Sequence, residues 1–190
     1  MTDILPRLTR QEERALLDLA RRAVVARLEM LPPPRLDDPP PRLLLPQGAF
    51  VSLHCGRRLR GCVGMVLAER SLIETVVACA GAAATEDPRF DPLNSSELKD
   101  LTIEISALDP PFRVADTSRI SIGTHGLAVT QGRRRGLLLP QVALDQGWDL
   151  RTFLEETCLK AGLAADAWMR GAIVEAFSAQ VFSEREPAPH

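Results

Sequence analysis

Cysteine is scarce in this chain of 190 residues, and what little there is lies scattered. Four cysteines, Cys55, Cys62, Cys79 and Cys158, are too few and too dispersed for a disulfide scaffold, and no pair has the two-residue spacing of a zinc knuckle. Charge of one sign is also lacking: the formal net charge is -2, so bulk electrostatics implies no nucleic-acid partner. No apolar run approaches the roughly 20 residues that span a bilayer, which excludes a membrane-spanning helix. The first ten residues carry polar and charged side chains without a continuous apolar stretch, so a reduced cytoplasmic setting is expected. The sequence contains no GxGxxG after a first strand, no GxxxxGK[ST], no GxSxG and no HExxH, so the common nucleotide, hydrolase and zinc-protease readings drop out.

What is present is an ordinary globular composition, 45% hydrophobic and 25% charged, long enough for a real core. A first helix is expected over 11–30, capped by Thr9 with Glu12 three residues on. Two triple-proline runs in 32–46 preclude helix or central strand there and predict a rigid segment extended over the surface. The composition of 49–54 is that of a strand, Gly56-Arg57-Arg58 reads as a turn, and 59–64 returns as a second extended piece. Ser71, with Glu74 at its third position, opens a helix running to Ala84, whose small residues allow another backbone to approach closely.

After a proline-fixed loop over 86–92 and a turn over 95–99, residues 101–108 alternate as a strand with Glu104 at its centre. A short strand is expected over 120–122, a turn over 123–126, and a hairpin around 131–135 that Pro140 ends. Pro140 suits the first position of a helix through Leu144 that Gly147 closes, and Asp149 caps a longer helix ending at Gly162. Residues 172–182 have strand character. The order argues for an α+β fold, a mainly antiparallel sheet flanked by helices, in a single domain over 12–184 between tails at 1–11 and 185–190.

The stretch with chemical promise is Leu59-Arg60-Gly61-Cys62-Val63-Gly64. A thiol reacts as thiolate, which nearby cations or backbone N–H groups favour. Arg60, with Arg57 and Arg58, can supply cations, and Gly61 and Gly64 can let N–H groups converge on an anion. The alternative is a small buried side chain packed between glycines. A nucleophile needs a base, for which His54, His125 and Glu104 are available. Glu104 is favoured as the carboxylate partner because a strand centre fixes it, His125 sits on a glycine-flanked turn, and His54 reads as a surface strand residue. Arg89 either pins its loop by an ion pair or recognises a carboxylate or phosphate.

The chain resembles the AMMECR domain family, whose prokaryotic members are called AmmeMemoRadiSam system protein A. Leu59-Arg60-Gly61-Cys62-Val63-Gly64 matches the family's LRGCIG with Val for Ile at the fifth position. Asp87-Pro88-Arg89-Phe90, Leu101-Thr102-Ile103-Glu104-Ile105-Ser106, Ile122-Gly123-Thr124-His125-Gly126-Leu127 and Gly136-Leu137-Leu138-Leu139-Pro140-Gln141-Val142-Ala143 follow in the family's order. Thr124 departs from a common lysine, and the proline-rich insert belongs to this chain alone. The resemblance implies an α+β fold with a larger and a smaller lobe and a cleft between them, and no obligatory cofactor. It also implies a link to a Memo-like protein and a radical SAM enzyme. Two functions follow as expectations. One is an enzyme or enzyme subunit acting on a small anionic metabolite through catalytic Cys62, Glu104 and His125, with Arg60, Gly61, Gly64 and Arg89 binding it. The other is a non-catalytic module for those partners.

Overall fold

The structure, a computed structural model, describes residues 5–66 and 68–185, so part of each expected tail lies outside the described residues. The chain divides into two compact units: a larger one from Pro6–Leu108 with the segment from Gln180 onward, and a smaller one from Asp109–Ala179.

In the larger unit, helix α1 spans Arg10–Leu28 and helix α2 spans Leu72–Thr85. Both open on the expected capping boxes, Thr9 with Glu12 and Ser71 with Glu74, which satisfy N–H groups that the first turn leaves without intrahelical partners. Strands β1 (Ala49–Cys55), β2 (Arg58–Met65), β3 (Leu101–Leu108) and, later in the chain, β8 (Ala179–Ser183) form one sheet in the order β2-β1-β3-β8. Val51, Leu53, Ile103 and Ile105 on one face of this sheet join Leu16, Ala20, Val24, Val76 and Ala80 of the two helices in a single core. The opposite face carries Phe50, Ser52, His54, Thr102, Glu104 and Ser106, the alternate positions of β1 and β3.

The proline-rich segment lies largely at the surface and forms no α-helix, as expected, but it is not extended throughout. Pro41–Leu44 forms a 3-10 turn with proline at its start, and Leu43 is fully buried in the core. Proline lacks the N–H that a first helical position does not use, so a short turn can begin where a longer helix cannot.

The smaller unit contains β4 (Phe112–Arg113), β5 (Gly126–Gln131), β6 (Arg134–Leu138) and β7 (Ile173–Phe177) in the order β4-β7-β5-β6, with helices α3 (Pro140–Asp145) and α4 (Leu150–Lys160). Phe153, Leu154 and Cys158 of α4 pack with Leu127, Val129, Val174 and Ala176 in a second core. Gly136 brings β6 so close to α4 that a Cβ there would lie 2.3 Å from the backbone nitrogen of Ala161.

One expectation fails in this unit. No strand forms over 120–122: the Thr124 and His125 N–H groups both donate to the Ser121 carbonyl, closing a turn, and the N–H of buried Ile120 donates to the Thr117 carbonyl. Residues 172–182 have the expected strand character, divided into two strands, β7 and β8, that join different sheets. The overall class is the α+β fold with antiparallel pairing that the order of elements predicts.

Candidate functional site

The site is set by the register of the β1–β2 hairpin. Cys55 pairs with Arg58 and His54 with Leu59, but Leu53 pairs with Gly61, so Arg60 is an extra residue on β2. A bulge of this kind re-aims side chains and shifts the faces of everything beyond it. Beyond it Cys62 stands opposite Ser52, and the Ser52 hydroxyl donates to the Cys62 sulfur at 3.2 Å. On the other side of β1, Ser52 pairs with Glu104 and His54 with Thr102. Cys62, Ser52 and Glu104 therefore form one row across three strands, on the face away from the helices. All three are half-buried, as is His54. Thr102 is buried, and its hydroxyl has no hydrogen-bond partner among the described residues.

β2 is an edge strand, and the outward backbone groups of Cys62 need partners. The loop after α2 supplies them: the Cys62 N–H donates to Asp87 Oδ2 at 2.8 Å, and Arg89 Nη2 donates to the Cys62 carbonyl at 3.3 Å. Asp87 and Arg89 are paired in turn, Nη2 to Oδ2 at 2.7 Å and Nε to Oδ1 at 3.0 Å. The Arg89 guanidinium, with the Cys62 and Arg89 N–H groups, holds the Asp87 carboxyl well below the usual carboxylate range. This acid and base replace a neighbouring strand at the position of the thiol. The ion-pair role expected as one alternative for Arg89 is present, and it pins the loop to Cys62 itself.

Arg60, aimed away by the bulge, binds Glu97 with both prongs, Nε to Oε1 at 2.6 Å and Nη2 to Oε2 at 3.1 Å. The pair holds Glu97 down to about 2 and raises Arg60. Arg60 is thus committed to a carboxylate, and the thiol that feels its charge is Cys55. Arg60 and Arg89 meet at one cavity of about 240 Å³, lined also by Arg58, Phe90, Asp91 and Glu97; Cys62 is not among its lining residues.

Gly61 and Gly64 are strand residues within β2 and form no convergent N–H nest. Their small size has a packing cause: a Cβ on Gly61 would lie 2.0 Å from the Ala83 carbonyl oxygen of α2, and one on Gly64 would enter the Phe50 ring. His125 belongs to the smaller unit, where its Nδ1 accepts from the Ser121 N–H at 3.0 Å and its ring stands edge-on to Phe112. Sequence reasoning passed over Ser52, Asp87, Glu97 and Thr102 and set His54 aside. Asp87 had a local signal, an acid two residues before Arg89 in a proline-fixed loop; Ser52 had none, because its opposition to Cys62 depends on the bulge.

Among the described residues no cluster of three or more His, Cys, Asp or Glu side chains is placed to hold a metal ion, and no helix is long and apolar enough to cross a membrane.

The family model AMMECR1 matches residues 17–182. This chain belongs to the AMMECR1 family. A protein of Thermofilum pendens is 43% identical over 95% of this chain and 93% of its own length. Protein MK0488 of Methanopyrus kandleri is 42% identical, over 95% and 92%. The crystal structure of the uncharacterized protein PH0010 from Pyrococcus horikoshii superimposes with a TM-score of 0.87 at 36% identity, covering 95% of each chain. The AMMECR1 match spans the β1–β2 hairpin, the Asp87–Arg89 loop and β3, every element that builds the Cys62 face.

Proposed function

We propose that this AMMECR1 protein is a cysteine-dependent enzyme, or the subunit of one, in which Cys62 reacts with a small anionic metabolite. The observation that carries the reading is the Ser52 hydroxyl donating to the Cys62 sulfur within a row that ends in Glu104. A hydrogen bond donated to sulfur is in general the kind that favours a thiolate, and Cys62 as a residue is half-buried rather than sealed in the core. The anionic class rests on three arginines around the neighbouring cavity, of which Arg60 and Arg89 already hold carboxylates. That same neutralisation favours a second reading, a non-catalytic binding module for a Memo-like protein and a radical SAM enzyme, partners that the family resemblance supports. Four free cysteines suit the reduced cytoplasm as its place of work.

Alkylation of Cys62 by iodoacetamide, followed by peptide mapping across pH, tests the enzyme reading, with Ser52→Ala and Cys62→Ser as comparisons. Cys62 is expected to react about tenfold faster than free cysteine near neutral pH, and Ser52→Ala to remove most of that advantage. A wild-type rate no higher than that of free cysteine ends the reading.

A further inference from the structure

We propose that His54 is the acid–base partner of Cys62, with Glu104 orienting its imidazole; the inference rests on the thiol reading above and names the group that completes it. Glu104 and Cys62 are separated by the whole of β1, roughly 10 Å at two strand spacings, so Glu104 is poorly placed to take the thiol proton itself. His54 stands on the strand between them, with no hydrogen bond to either group in this structure. It follows Ser52 by two residues on β1 and so shares its face, diagonal to Cys62 on one side and to Glu104 on the other. Diagonal neighbours in antiparallel strands stand roughly 7–8 Å apart, within reach of an imidazole. Thiol, imidazole and carboxylate thus descend from β2, β1 and β3 onto one sheet face of the larger unit.

A second, independent observation on this face is a polar group left without a partner, as a few other buried side chains are. The Thr102 hydroxyl, directly opposite His54, is 7% exposed as a residue and has no hydrogen-bond partner among the described residues. A buried hydroxyl left unpaired is costly, and a polar ligand atom on this face would satisfy it. His125, by contrast, has one ring nitrogen occupied by its own turn in the other unit.

The step is a single proton transfer. The Cys62 thiol gives its proton to an imidazole nitrogen of His54, the electron pair stays on sulfur, and the result is a thiolate beside an imidazolium that Glu104 stabilises. The ionisable groups around the pair are Glu104 from β3, Arg89 with Asp87 from the loop after α2, and Cys79 from α2. Because Arg89 and Asp87 are paired to each other, His54 and Glu104 are the groups left to govern the proton.

The test is the alkylation profile of Cys62 in the full chain for wild type, His54→Asn, Glu104→Gln and His125→Asn, with circular dichroism to confirm folding. His54→Asn is expected to slow Cys62 about tenfold near neutral pH, with the deficit vanishing in strong alkali where any thiol ionises, and Glu104→Gln to slow it by about threefold. NMR titration of His54 in wild type and Cys62→Ser serves as a second readout: removing the thiol is expected to displace the His54 titration. A fast wild-type Cys62 that His54→Asn leaves fast, or that His125→Asn slows instead, overturns the inference while leaving the thiol reading intact. A slow wild-type Cys62 defeats both.

Discussion

At the scale of the residue, Gly61 and Cys62 show two different reasons for occupying adjacent places. Gly61 faces α2, where a methyl group would meet the Ala83 carbonyl oxygen at 2.0 Å, and the contact is backbone to backbone with no flexible side chain to yield. Gly61→Ala is expected to cost about 1–3 kcal/mol by overpacking, read as a lower denaturation midpoint with an unchanged slope. Cys62 faces the other way, held by its own N–H and carbonyl on Asp87 and Arg89. Asp87 is 5% exposed, so Asp87→Ala leaves a buried N–H without its acceptor and frees the Arg89 charge; a loss of about 2 kcal/mol in chemical denaturation is expected. An unchanged midpoint would show that the loop does not hold the strand.

At the scale of the element, the bulge in β2 decides what Cys62 can do. Counted without interruption from the Cys55–Arg58 pair, the hairpin would set Cys62 opposite Val51, pointing into the core; the extra residue Arg60 moves it opposite Ser52. Arg60 is 9% exposed and its charge is met by Glu97, so removing one partner strands the other. Glu97→Gln is expected to cost roughly 3 kcal/mol in denaturation and to slow Cys62 alkylation, as an unanchored bulge lets the register drift. Loss of stability with Cys62 reactivity unaffected would separate the ion pair from the site.

The same bulge explains what the sequence could and could not disclose. Capping residues Thr9, Ser71 and Asp149, the alternation of 101–108 and the glycine-bearing hairpin turn are local signals, and the elements they predict are present. The Cys62 motif and Glu104 were legible as candidates because a thiol between glycines and a carboxylate at a strand centre are unusual by themselves. Their common row, the place of Ser52 within it and the share of His54 in the same face depend on pairing between strands, which no local pattern encodes. Arg60 misled for the same reason: adjacency to Cys62 in sequence suggested a cation for the thiol, whereas the bulge carries it to Glu97.

At the scale of the whole molecule, each unit has its own core, and the strongest electrostatic commitments lie in the larger one. Asp87 and Glu97 both titrate lower in the folded protein than ordinary carboxylates, Glu97 at about 2. The unfolded chain therefore binds more protons than the native one in acid. The stabilisation from these carboxylates is present above about pH 4.5 and is lost as the pH falls toward 2. Urea midpoints between pH 6 and pH 3 are expected to fall, and Glu97→Gln to flatten that dependence; a flat profile in the wild type would contradict the pairing.

Cys55 supplies the most direct measure of the central claim, since it lies in the same hairpin, is half-buried like Cys62, and has its thiol pushed up by burial and by Glu97. Competition of the two thiols for a limiting amount of iodoacetamide near neutral pH, resolved by peptide mapping of the folded chain in wild type and in Ser52→Ala and His54→Asn, isolates the effect of the Ser52–His54–Glu104 face, because Cys55 is suppressed alike in all three. Modification of Cys62 ahead of Cys55 by about tenfold or more in wild type, with the lead largely lost in both variants, is the result expected. Equal modification, or Cys55 ahead, would contradict an activated Cys62.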